Sequence, residues 1–160
     1  MCAADQGGAG RVGAATCRRL HAQGANLLVH YRASETDARA LQTELNQARP
    51  GSVALAQADL LDIGRLPDLI DETIKHFGKL DALVNNASSF FPTPLGEIKE
   101  SMWNDLIGTN LKVPLLLPPA AAPQLREHPG CIVIIVDIPE NWPLEGQVGS
   151  HASRAGPAAL

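Results

Sequence analysis

The sequence predicts an α/β fold built on a parallel sheet, and three observations predict it. Short apolar runs alternate with stretches of helical periodicity along the chain. The helical stretches span about a dozen residues, long enough for right-handed crossovers between parallel strands. The last apolar run, "CIVIIVDI" from Cys131 to Ile138, is rich in β-branched residues, as a strand buried on both faces would be.

Each element has its own local reason. Val12 to Gln23 carries apolar positions at helical spacing, and Gly24 makes a C-terminal stop. Asn26–Tyr31, "NLLVHY", is a short strand. Ser34 stands as a helix cap, and the helix runs to about Ala48, where Arg49-Pro50 ends it. Val53–Gln57 is the next strand, and after "ADLLD" a helix covers Leu66 to Phe77 until Gly78 stops it. Ala82–Asn85 is a strand and Glu100 to about Leu117 a helix. Pro118 and Pro119 fall where that helix should continue, and each interior proline costs about 3 kcal/mol. The first strand should precede Gly7, yet "MCAAD" offers poor strand formers and an Asp where burial is expected. No internal repeat or low-complexity linker interrupts the pattern, so residues 1–160 read as a single domain.

At 160 residues the chain is long enough to bury a core, and 45% hydrophobic with 19% charged residues fits a globular rather than a disordered protein. A net charge of -4 without any basic run gives no reason to expect nucleic acid. No apolar stretch approaches bilayer length, and the start "MCAADQGG" lacks a basic end and an apolar signal core, so no membrane association and a cytoplasmic location are expected. Cys2, Cys17 and Cys131 are odd in number and lack CxxC spacing, which reads as small buried hydrophobes rather than a disulfide framework or zinc site. Five scattered histidines never repeat at ligand spacing, so no metal is expected.

Open parallel sheets bind ligands at the C-terminal ends of their strands. "LVNNASSFFPTPL", which follows the strand ending at Asn85, therefore belongs on the ligand side. Six motifs now stand in order: "GGAGRVG", "HYRAS", "ADLLD", "VNNASSFFPTPL", "GTNLK" and "IVDI". Together, from about Gly7 to Gly146, they resemble a short-chain dehydrogenase/reductase, and most closely the pteridine reductase branch. The resemblance implies a Rossmann-like doubly wound parallel sheet in three α/β/α layers. That sheet is expected here to be incomplete, with its last strands missing and its first strand doubtful. It also implies a dinucleotide-binding domain using NADPH/NADP, a small-molecule pteridine substrate and a homo-oligomer of open size, the family commonly forming tetramers.

The implied cofactor residues have physical readings. Gly7 and Gly13 flank a tight turn whose backbone N–H groups and helix N-terminus approach a pyrophosphate. Arg11 replaces the family's usual middle glycine, as in pteridine reductases, and can hydrogen-bond phosphate or a pterin edge; the plainer reading is a solvated helix start. His30, Tyr31, Arg32 and Ser34 end the second strand where the adenosine ribose would lie. An acid there serves NAD, whereas an arginine accommodates a 2′-phosphate, so Arg32 and Ser34 argue for NADP(H). Asp59 and Leu60 resemble the family's adenine-binding pair. Asn86 and Ala87 belong to its Asn-rich turn, and Ser88 would face phosphate and nicotinamide. Phe90 would stack a flat substrate against the nicotinamide, with core packing as the alternative, and Arg11, Ser88 and Asp137 complete the implied substrate set.

Hydride transfer needs a proton donor beside the reduced atom. The family supplies an Asn, a Ser (an Asp in pteridine reductases), a Tyr and, four residues on, a Lys. Asn110 in "GTNLK" and Asp137 in "IVDI" match the first two. Running on through Pro143, Leu144 and Gly146, the tyrosine position falls on Ser150 and the lysine position on Arg154. Serine reaches less far than a phenol, and arginine stays protonated while still able to bind ribose hydroxyls. The tail "GQVGSHASRAGPAAL" also loses the apolar pattern of the family's next helix. Two functions follow: NADPH-dependent reduction of pteridines such as dihydrobiopterin or dihydrofolate, or an inactive relative serving as a nucleotide-binding or interaction module. A hydrolase built on Ser150 and His151 is disfavoured, because adjacent side chains seldom face each other and no G-x-S-x-G elbow surrounds the serine.

Overall fold

The computed structural model describes residues 2–6 by their backbone, and residues 10–127, 129–136 and 145–157 in full. Gly7, Asp137, Pro143 and Leu144 lie outside the described residues. The strands are β1 Cys2–Gln6, β2 Asn26–Tyr31, β3 Val53–Gln57, β4 Ala82–Asn85 and β5 Cys131–Ile134. The helices are α1 Arg11–Ala22, α2 Glu35–Ala48, α3 Leu66–Phe77, α4 Glu100–Ile107, α5 Val113–Leu116, α6 Pro118–Glu127 and α7 Val148–Ala155. The strands are parallel and ordered β3-β2-β1-β4-β5, the order of a doubly wound nucleotide-binding sheet.

Alternating side chains divide the core between the sheet's two faces. On one face Leu27 and Val29 of β2 pack with Cys17 of α1 and Leu41 and Leu45 of α2. On the other, Leu28 and Leu83 pack with Leu66, Leu69 and Ile70 of α3, Val113 of α5, and Leu117 and Ala121 at α6. The result is three layers. Strands β2, β3 and β4 and helix α3 have the bounds expected from local pattern. Gly24 and Gly78 end their helices with φ of 88° and 77°, a region that favours glycine.

Several expectations are corrected. The doubtful first strand forms: β1 is the central strand, with Ala3 paired in register to Leu27 on one side and Ala82 on the other. Two ready-made neighbours complete its backbone hydrogen bonds, so context overrides weak propensity. The prolines do not end helical structure. Pro118 and Pro119 open α6, where their missing N–H groups have no intrahelical partner to lose. Pro123 is accommodated inside the same helix, with Ala121 buried against α3. The tail forms α7, whose buried residues are Gly149, Ser150 and Ser153, small rather than apolar.

β5 was expected to be buried on both faces, yet Cys131, Ile132 and Val133 are exposed. Among the described residues it is the terminal strand of the order and pairs with β4 alone. Cys17 is buried as expected, whereas Cys131 is not. Ser34 occupies the N-cap position of α2, but its side chain makes no capping hydrogen bond. Among the described residues no helix is long and apolar enough to cross a membrane, and no group of three His, Cys, Asp or Glu side chains is placed to hold a metal.

Candidate functional site

Helix α4 passes into α5 through a π-helical turn, Gly108–Lys112. Such turns widen the helix locally and recur at functional sites. This one buries Asn110 between the loop after β4 and helix α7. The Asn110 Oδ1 accepts from the Ser89 backbone N–H at 2.8 Å, while its Nδ2 donates to the Ser89 carbonyl at 3.0 Å and to the Ser153 Oγ at 2.8 Å. Ser153 in turn donates to the Ser150 carbonyl at 2.8 Å. One amide thus ties the π turn to two other segments, the loop after β4 and α7. Thr93 adds a second tie: its Oγ1 accepts the Gly149 N–H at 2.9 Å, satisfying an orphan donor in the first turn of α7.

Above the C-terminal ends of the strands lies a cavity of about 690 Å³. Arg11 and Gly13 line it from the start of α1, His30 and Arg32 from the end of β2, and Asp59 and Leu60 from the loop after β3. The turn after β4 contributes Asn86, Ala87 and Ser88, the π turn Asn110, and α7 Arg154. Eleven sequence-expected site residues therefore share one cavity, although their motifs are scattered from Arg11 to Arg154.

Others do not join the wall. Tyr31 is buried in the core, Ser34 is exposed at the start of α2, and neither lines the cavity. Ser150, at 2% exposure, donates to the Phe91 carbonyl at 3.4 Å and also lies off the wall. His151 Nδ1 donates to the Gln147 carbonyl at 2.8 Å, so serine and histidine are each committed to a backbone carbonyl, and no hydrolase dyad forms. Phe90 is 52% exposed rather than in the core. Its ring lies under the Arg154 guanidinium, 5.1 Å from carbon to centroid, and Arg154 Nη2 donates to Ser88 Oγ at 3.3 Å.

The cavity's donor set fits a phosphorylated dinucleotide. Two guanidinium groups, Arg11 and Arg32, stand on its wall, and a guanidinium is a charged donor suited to phosphate. At its floor the Asn85 side chain is 3% exposed, and neither its Nδ2 nor its Oδ1 has a partner among the described residues. A buried amide in that state is costly until a bound group satisfies it. The sequence reading missed Ser89 and Asp105, which carry the wall mechanically: Ser89 Oγ donates to Asp105 Oδ1, and Asp105 Oδ2 is 4.0 Å from Arg32 Nη1. Ser89 stands inside a motif already noted, but nothing local ties it to Asp105 on α4.

His30 is buried, its Nε2–H donating to the Ala58 carbonyl at 2.8 Å, and burial pushes its pKa below the ordinary 6.5. His21, which bonds Ser52 Oγ at 2.7 Å, is lowered by burial and by the nearby Arg49 charge. Both rings bind protons more readily unfolded than folded. Their contribution to stability is therefore complete above pH 6.5 and lost as pH falls through the lowered folded values. Urea midpoints should fall between pH 7.5 and pH 5.5, and His30→Gln should make that fall shallower.

A family model described as short chain dehydrogenase matches residues 4–160. Pteridine reductase 1 of Leishmania tarentolae is 34% identical over 178 residues, covering 88% of this chain and 62% of the relative. The 3-oxoacyl-[acyl-carrier-protein] reductase FabG of Staphylococcus aureus (strain Mu50 / ATCC 700699) is also 34% identical, over 150 residues, covering 93% of this chain and 61% of the relative. A short chain dehydrogenase/reductase, dpchG, of Colletotrichum higginsianum is 31% identical over 135 residues, with 81% and 49% covered. The chain spans about three-fifths of the length of the first two of these curated relatives.

Proposed function

Since the chain belongs to the short-chain dehydrogenase family, a family of oxidoreductases, we propose that it binds NADPH in the cavity and reduces a pteridine by hydride transfer. The observation that carries this reading is the convergence of Arg11, Arg32, Asp59 and Ser88 on one cavity. Gly7, Gly13 and the N-terminus of α1 hold the pyrophosphate by backbone N–H groups, with Arg11 alongside. Arg32 pairs with the 2′-phosphate, His30 completes the ribose end, and Asp59 and Leu60 take the adenine. Asn86, Ala87 and Ser88 face the nicotinamide half. When bound, the cofactor supplies the hydride.

The chain's own residues do the rest. Phe90 stands beside the wall with Arg154 over one ring face, and its other face is the one offered to a flat heteroaromatic substrate, where an offset stack is worth about 0.5–1.5 kcal/mol beyond burial. Arg11 and Ser88 hydrogen-bond the substrate's edge. Asp137 passes a proton to a ring nitrogen. Asn110 holds the Ser89 backbone in place, and Arg154 holds ribose hydroxyls. Pteridine rather than 3-oxoacyl chemistry is favoured by Arg11 in the glycine turn and by "SSFFPTPL" after β4. Identity alone does not separate the two, because both relatives stand at 34%.

A second reading, a nucleotide-binding module without turnover, is favoured by one observation: Ser150, at the tyrosine position, is buried with its hydroxyl on the Phe91 carbonyl. Purified protein with NADPH and dihydrobiopterin separates the readings. Loss of nicotinamide absorbance with the pteridine, and none with a 3-oxoacyl thioester, is the expected result. Calorimetric binding of NADPH without turnover would favour the second reading. Folded protein that fails to bind NADPH ends both.

A further inference from the structure

We propose that Asp105 is a specificity-determining residue: by holding Arg32, it limits how strongly the site prefers a 2′-phosphorylated nucleotide to an unphosphorylated one. The proposal rests on the NADP(H) reading of Arg32 above. Asp105 lies on α4 and is itself absent from the cavity wall, yet it reaches two residues that line it. Its Oδ2 is 4.0 Å from Arg32 Nη1 at the end of β2. Its Oδ1 accepts from Ser89 Oγ in the turn after β4. The carboxylate therefore ties together two segments that come to the wall from different strands.

The two partners are not equally fixed. The Arg32 side chain is 55% exposed and that of Asp105 30%. Asp105 is anchored by Ser89, whose backbone is in turn held by both atoms of the Asn110 amide. The guanidinium is the member free to turn. A 2′-phosphate entering the ribose end must draw Arg32 away from a carboxylate of its own charge sign. A 2′-hydroxyl meets no such competition. Asp105 thus taxes one nucleotide class and spares the other. An exposed ion pair of this kind is weak, which sets the effect at roughly two- to fivefold in affinity.

Asp105→Asn removes the charge while its amide oxygen can still accept from Ser89. Adenosine 2′,5′-bisphosphate and adenosine 5′-monophosphate are the probes, titrated calorimetrically at low salt onto wild type, Asp105→Asn, Arg32→Ala and the double variant. The expected result is bisphosphate bound two- to fivefold tighter by Asp105→Asn with the monophosphate unchanged. Asp105→Glu, which keeps the charge, should behave as wild type. In the Arg32→Ala background the effect of Asp105→Asn should vanish, because Asp105 acts through the guanidinium. Asp105→Ser is the second charge-removing variant should the first fail to fold. Equal changes for both probes, no change, or an undiminished effect without Arg32 would overturn the proposal alone. Wild type binding bisphosphate no better than monophosphate would overturn the NADP(H) reading and this inference with it.

Discussion

Asn110→Leu is expected to lower stability by about 2–4 kcal/mol and to loosen α7 from the π turn and the loop after β4. The side chain is of similar size, so the loss is not mainly a cavity. What disappears is the set of bonds to the Ser89 N–H at 2.8 Å, the Ser89 carbonyl at 3.0 Å and Ser153 Oγ at 2.8 Å. Asn110 is 6% exposed and Ser153 fully buried, so water replaces these partners poorly. An unsatisfied buried polar group costs about 1–3 kcal/mol. Ser89 is only half-buried and recovers part of its share, which keeps the sum near the lower half of the naive total. Asn110→Asp is the sharper variant. It keeps an acceptor for the Ser89 N–H but sets a carboxylate against the Ser89 carbonyl, losing both donated bonds. Urea denaturation gives the stability, and amide exchange in Val148–Ala155 reports whether α7 has loosened. Unchanged protection of α7 in Asn110→Leu would show that Thr93 and the α4 contacts hold it alone.

That prediction depends on a helix the sequence does not advertise. Strands β2, β3 and β4 were legible because their apolar runs are bounded by glycine, proline and polar residues, all of it local information. Helix α3 was legible through periodicity, with Leu66, Leu69, Ile70 and Thr73 forming its buried face. In α7 the buried face is Gly149, Ser150 and Ser153. A helix that packs closely on its neighbour uses small residues there, so a reading tuned to large apolar side chains sees nothing. β1 was obscured for a related reason. Its strand state is imposed by β2 and β4, which cannot be known from "CAADQ" alone.

The site divides in the same way. The cavity gathers Arg11, Arg32, Asp59, Ser88 and Asn110, residues identified through ordered motifs at strand ends. Where a strand ends, the sheet's geometry fixes which side its following loop occupies, so motif order was enough. The direction of a loop side chain is not fixed that way. Phe90 lies outside the wall under Arg154, and Ser150 turns to a backbone carbonyl, because tertiary partners at Arg154 and Phe91 decide both. Ser89–Asp105–Arg32 escaped notice for the same reason, since three elements must be in place before the carboxylate has anything to hold.

Gly130→Ala should destabilise by about 1–3 kcal/mol and should weaken whatever the cavity binds. Gly130 immediately precedes β5, where an added Cβ would sit 2.5 Å from Leu125 Cδ2 and 2.8 Å from the Asp81 carbonyl oxygen. The leucine end can swing aside. The carbonyl cannot, because it belongs to the backbone entering β4 and already accepts the Cys131 N–H at 3.0 Å. Relief therefore requires β5 to move away from β4, against the ladder that pairs Ala82 with Cys131 and Asn85 with Ile134. Among the described residues β5 has no second strand to hold it, so the shift propagates along its length. Ile134 at its far end, with Ile135 and Val136 just beyond it, lines the cavity, and Ile135 donates its N–H to the Asn85 carbonyl at 2.9 Å. Loss of stability and loss of affinity for the proposed cofactor, NADPH, should then appear together, read by urea midpoint and calorimetry on the same sample. Gly64→Ala is the matched control: its added Cβ meets only Asp62 Oδ1, at an ordinary 3.6 Å, and both readouts should stay within about 0.5 kcal/mol of wild type. A stable Gly130→Ala protein with weakened affinity would mean that β5 shifts at little cost, making this edge strand an adjustable wall of the site rather than a rigid one.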